Sequence, residues 1–193
     1  MLLCSRKEGI NVMRIVCLGW GSLIWKPGQL PLASEWFDDG PMLPIEFARE
    51  SDGGELATVL CDDTPEVPVL WAYLDTRNLE DAREYLRIRE AIPDFQPECV
   101  GSIPSQRALS AHAPTITDWA RNRTVDAVIW TNLPPRSQGK NHRKPNESEV
   151  IEYLTGLPLS KKEHAEHYIR STPKGIATPY RRLVEEELGW CHL

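Results

Sequence analysis

The chain has 193 residues, of which 41% are hydrophobic and 26% charged, a composition that suits one packed core over 1–193 and excludes a collagen-like or disordered polymer. Against 22 Lys and Arg stand 28 Asp and Glu, a net charge of −6, so no nucleic-acid partner and no anionic membrane surface is expected. No apolar run reaches the ~18 residues of a membrane span, and the five cysteines form no CxxC pair, which fits reduced thiols in a cytoplasmic protein.

Residues 1–12 have no apolar signal-peptide core and are read as a disordered extension outside the fold. Residues 14–18 (RIVCL) are a short β-branched run that ends at Gly19, the start of a loop GWGSLIWKPG. Three further strands are expected over 43–50, 55–61 and 67–75, separated by SDGG and DDTPE turns, and their short links suggest an antiparallel meander. Asn78 is an N-cap for a helix, LEDAREYLRIREAI, expected to end before Pro93. A strand over 124–131 follows, then a polar basic stretch, 136–146, that has no apolar period and reads as a mobile loop. Two short helices over 147–155 and 160–170 and another after Pro179 complete the chain.

On the first helix, with Leu79 at zero and 100° per residue, Leu86 falls at about −20° and Glu90 at about +20°, so the Glu90 carboxylate lies within the apolar stripe. A carboxylate turned toward a core loses hydration, which raises its pKa toward the range of a general base. The structural alternative is an ion pair with Arg83, one heptad away. The second candidate is the loop Gly19-Trp20-Gly21-Ser22-Leu23. Two glycines permit a tight turn with successive N–H groups that can hold a small anion, and Ser22 adds a hydroxyl. It lacks both GxGxxG and a GK[ST] ending and is not a phosphate loop. Packing of Trp20 and Trp25 into the core would explain the same residues.

Together these segments resemble the γ-glutamylcyclotransferase-like proteins. LGWGSLIWKPG (18–28) is similar to their signature loop, closest to the glutathione-degrading ChaC branch; EFARESDGGELATVL and VLWAYL are similar to the strands that follow; and YLRIREAIP resembles the helix end that carries the catalytic glutamate, here Glu90. Many members have Tyr where this chain has Trp20, and the C-terminal part does not match the ChaC pattern. The resemblance implies an α+β fold, a small mixed or antiparallel β-barrel or strongly curved sheet with flanking helices. It also implies release of 5-oxoproline from a small γ-glutamyl amine, amino acid or peptide, without metal or other cofactor. Glu90 would be the catalytic residue; Gly19, Trp20, Gly21, Ser22 and Leu23 would bind substrate; and Arg49, Tyr180 and Arg181 are candidates for the rim. Two other readings stay open: a non-catalytic small-molecule binding module on the same fold, and an interaction protein whose Trp-rich surface and C-terminal helices engage a partner or a second copy; the chain is a monomer or a homodimer.

The remaining candidates are less developed. His164 and His167 stand i and i+3 on a charged helix without a third metal ligand. Ser102, Ser105 and His112 form no nucleophile elbow. Arg136, Lys140, His142, Arg143 and Lys144 form a local basic patch, either a solvated loop or an anion-attracting rim.

Overall fold

A computed structural model describes residues 13–104 and 111–193; the expected extension, Cys4 and Ser105 lie outside the described residues. Strand β1 (Ile15–Gly19) is buried at every position, as a strand covered on both faces must be. It pairs antiparallel with β5 (Leu70–Tyr73) and parallel with β7 (Ala127–Thr131). On the far side of β7 lies antiparallel β6 (Val100–Ile103), completing the order β5-β1-β7-β6. The second sheet is built on β2 (Met42–Glu50), which pairs antiparallel with β3 (Leu56–Leu60) and β4 (Glu66–Pro68) and parallel with β8 (Arg136–Ser137); β9 (Lys140–Asn141) closes it. Both sheets are mixed and one curls into a half-barrel, so the fold is α+β with a curved sheet.

The segment expected as one strand over 67–75 is two. Pro68 ends β4 opposite Met42 and cannot donate a ladder hydrogen bond; beyond Val69 the chain enters the other sheet beside β1. The strands are therefore not a simple meander, because the core is shared between two sheets and the chain changes sheet at this proline.

Helix α1 (Leu79–Arg89) begins as expected, with Asn78 Oδ1 accepting from the N–H groups of Glu80 and Asp81 at 2.9 and 3.4 Å. It buries Ala82 and Leu86 but stops three residues before Ile92. Glu90 is its C-cap and Ala91 takes a left-handed φ of 52°, which turns Ile92 into the core at 2% exposure. Strand β6 and helix α2 (Ala113–Arg121) have no counterpart in the sequence reading. Gly101 breaks the strand pattern of VGSI, and it is needed: a Cβ there would lie 2.1 Å from the Trp130 ring.

The stretch 136–146, expected as a mobile loop, contains the β8–β9 hairpin. Gln138 and Gly139 both have positive φ, 52° and 72°, the two-residue turn that matches strand twist. Glu50 holds it by accepting from Ser137 Oγ and the Gln138 N–H at 3.0 and 2.7 Å. Polar anchors leave no apolar period to read.

Helices α3 (Glu147–Gly156), α4 (Leu159–Ser171) and α5 (Pro179–Leu188) follow the expected boundaries within a few residues. Their buried Val150, Leu154, Ile169 and Val184 share one apolar cluster with Phe47 and Leu56 of the second sheet. Among the described residues no helix is long and apolar enough to cross a membrane.

Candidate functional site

Parallel β1 and β7 run with their carboxyl ends on the same side, at Gly19 and Thr131. A crevice outside the carboxyl ends of adjacent parallel strands is where an open sheet exposes chain ends to a ligand. Here it holds a cavity of about 500 Å³, within the size range of small-molecule sites. Gly19 to Leu23 form one wall, Arg89 and Glu90 at the end of α1 another, Thr131 the end of β7, Arg49 and Thr58 the second sheet, and Tyr168 of α4 the side contributed by the C-terminal helices.

The Glu90 side chain is 15% exposed, and Arg89 Nη1 donates to its Oε1 at 2.6 Å. Burial pushes the Glu90 carboxyl above its ordinary range; the Arg89 charge and hydrogen bond, and one from Thr131, pull the other way without overcoming it. The same guanidinium donates from Nη2 to Ser22 Oγ at 3.0 Å and to the Lys26 carbonyl at 2.8 Å. A single guanidinium therefore ties the carboxylate to the glycine loop, and the two lie within its span. Arg83, considered from the sequence as the partner of Glu90, instead donates to the Val100 and Pro97 carbonyls and to Ser102 Oγ at 2.9, 3.0 and 2.6 Å.

The glycine loop is built differently from the expectation. Neither Gly19 nor Gly21 has a positive φ; each is required because a neighbour fills the place of its side chain. A Cβ at position 19 would lie 2.8 Å from the Trp36 ring, and one at position 21 would lie 2.4 Å from Tyr168 Oη and 2.5 Å from Thr58 Oγ1. Trp20 is buried in the core, its indole N–H donating to the Thr58 carbonyl at 3.2 Å. The carbonyls of Gly21 and Ser22 accept from the N–H groups of Ile24 and Lys26. The N–H groups of Gly21, Ser22 and Leu23 have no acceptor among the described residues, which leaves consecutive donors at a cavity wall for an anion.

Arg49 lines the cavity, just past the irregularity in β2 between Phe47 and Arg49. Its Nη1 donates to the Pro134 carbonyl at 2.8 Å and to Asn141 Oδ1 at 3.3 Å. Burial, with Arg136 nearby, holds its pKa below the ordinary arginine value. Tyr180 and Arg181, expected at the rim, are not there. Tyr180 is 7% exposed and its hydroxyl donates to the Pro145 carbonyl; Arg181 is 3% exposed and donates to the carbonyls of Thr172, Pro173 and Ile176. Both are internal to the C-terminal layer because α5 buries the face that carries them. Arg136 of the basic patch lines the cavity and pairs with Asp52 at 3.2 Å. His164 and His167 line a neighbouring cleft with Trp25 and Lys26, His164 Nε2 lying 3.2 Å from Glu55 Oε2.

Sequence reasoning missed Arg89, Thr58, Thr131 and Tyr168. Arg89 had a local signal, a cation adjacent to the chosen carboxylate; the other three come from distant strands and a helix and had none. Compared with protein-family models, with curated proteins and with solved structures, the chain matches none.

Proposed function

We propose that this cavity is the active site of a γ-glutamyl cyclotransferase. The reading rests on the resemblance of the loop and helix-end segments, and one observation carries it: a largely buried carboxylate, Glu90, lines the same small cavity as Gly21, Ser22 and Leu23, whose backbone N–H groups have no acceptor among the described residues.

The reaction joins two groups of one substrate. The α-amine of a γ-glutamyl compound attacks its own γ-carbonyl, the C–N bond of the five-membered ring forms, the bond to the leaving nitrogen breaks, and 5-oxoproline and an amine are released. An α-ammonium has no lone pair to attack with, so a base must first accept its proton, and the leaving nitrogen must then receive one. Glu90 accepts the first proton and returns it. Burial favours its neutral form, so it is a stronger base than an exposed carboxylate and holds the proton between the two steps. The loop N–H groups hold the α-carboxylate or the developing oxyanion, which fixes the chain in the folded geometry that ring closure needs. Arg89 keeps the Glu90 carboxylate facing the loop.

The test is incubation of the protein with a panel of γ-glutamyl amines, amino acids and peptides, with 5-oxoproline measured by mass spectrometry. Release is expected from at least one compound, and Glu90→Gln should reduce it by about 10²-fold or more. No release from any compound, or undiminished release by the variant, overturns the assignment; a ligand-induced rise in Tm without turnover would favour the binding module.

A further inference from the structure

Thr58, at the centre of β3, and Tyr168, on α4, meet beside the glycine loop. Two contacts join them, the Thr58 N–H donating to Tyr168 Oη at 3.2 Å and the two hydroxyls lying 3.0 Å apart, and a third ties Thr58 to the loop, its Oγ1 donating to the Trp20 carbonyl at 3.3 Å. Proton counting fixes the direction. A threonine hydroxyl has one proton, and the Trp20 carbonyl can only accept. The Thr58 proton therefore goes to Trp20, and Tyr168 donates to Thr58 Oγ1 while accepting the Thr58 N–H. Tyr168 keeps its proton for this, since burial pushes its phenol above the ordinary value.

The chain ends on the carbonyl of the peptide group whose N–H belongs to Gly21. A hydrogen bond accepted by a peptide carbonyl draws charge through the amide and strengthens its N–H as a donor, and successive bonds polarise one another. The Trp20 indole donates back to the Thr58 carbonyl at 3.2 Å, so residues 20 and 58 are joined by two hydrogen bonds, one through the peptide carbonyl and one through the side chain. The two hydroxyls also occupy the space of a Gly21 side chain. We propose that Thr58 and Tyr168 are positioning residues that orient and polarise the Gly21 N–H toward the anionic group of the ligand.

This role rests on the cyclotransferase reading for its kinetic consequence but not for its physical one, so the experiment has two arms. In the ligand-free protein, the ¹⁵N-edited amide proton of Gly21 should move upfield in Thr58→Val and in Tyr168→Phe, while Thr58→Ser, which keeps the hydroxyl, returns it toward the wild-type position. In the second arm, kcat/KM for the best substrate of the panel should fall about tenfold in Thr58→Val, chiefly in kcat if the N–H meets the oxyanion and chiefly in KM if it meets the α-carboxylate, with Thr58→Ser recovering most of the loss. If the wild type turns over nothing, the cyclotransferase reading fails, and the affinity for 5-oxoproline and L-glutamate by calorimetry replaces the kinetics; a loss of affinity in Thr58→Val that Thr58→Ser recovers sustains the positioning role. Gly21 shifts, and kcat/KM or affinity, that stay within twofold of wild type in folded Thr58→Val or Tyr168→Phe overturn it. Should Thr58→Val not fold, the comparison of Tyr168→Phe with wild type decides.

Discussion

Glu46 offers the sharpest test of how the second sheet is locked to the C-terminal helices. It is fully buried in β2 and its carboxylate accepts four hydrogen bonds. Oε1 takes the Thr178 hydroxyl and the Phe47 N–H at 2.5 and 2.9 Å, and Oε2 takes the Thr64 hydroxyl and the Tyr180 N–H at 3.3 Å each. Glu46→Gln keeps one oxygen and replaces the other by a donor. With the amide nitrogen at Oε2, the Thr64 hydroxyl can turn round and accept, but the Tyr180 N–H cannot and is left buried beside another donor. The cost is about 1–3 kcal/mol for one orphaned group, a fall of roughly 2–4 °C in Tm for each kcal/mol in a chain of this size. Burial raises the Glu46 carboxyl above its ordinary value of 4.5. In the window above 4.5 the folded state then binds more protons than the unfolded one, and its contribution to stability falls as pH rises through the raised value. Glutamine does not titrate. The stability difference between wild type and variant, from urea titrations at a series of pH values, should therefore be largest below pH 4.5 and shrink as pH rises. A difference that grows with pH, or a variant as stable as wild type below pH 4.5, would refute this account of the carboxylate.

The other predictions concern the site and its surroundings. Gly21→Ala should destabilise by about 1–3 kcal/mol, since the new methyl meets two buried hydroxyls, whereas Gly156→Ala, with open space at the end of α3, should stabilise by about 0.4–1 kcal/mol, both read from urea titrations. Because burial raises Glu90 and the base must be ionised in the free enzyme, log(kcat/KM) should climb with pH to a midpoint above 4.5; a flat profile across that window removes Glu90 as the base. Arg181→Met leaves the buried Thr172 and Ile176 carbonyls without their donor and should lower stability by more than about 2 kcal/mol, with KM for any substrate unchanged; a rise in KM would return Arg181 to the binding site.

Much of this fold is local in origin. The β-branched run of β1, the Asn78 cap, the proline and glycine punctuation and the C-terminal helices follow from propensities that act over a few residues, and so their positions were legible in the sequence. The apolar stripe of α1 likewise singled out Glu90, because burial of a helix face depends on period alone. Three things were not legible. The split of 67–75 between two sheets, the hairpin within 136–146 and the burial of Tyr180 and Arg181 all depend on which distant segment supplies the hydrogen-bond partner: the other sheet, Glu50, or the carbonyls that end α4. The same holds for the site. Composition and pattern determined that a glycine loop and a desolvated carboxylate exist; only the parallel pairing of β1 with β7, and the approach of α4, decided that they share a cavity. Gly21 shows why: its lack of a side chain is readable at once, but the reason is space taken by hydroxyls 37 and 147 residues further along the chain, and steric exclusion between distant segments leaves no trace in local sequence.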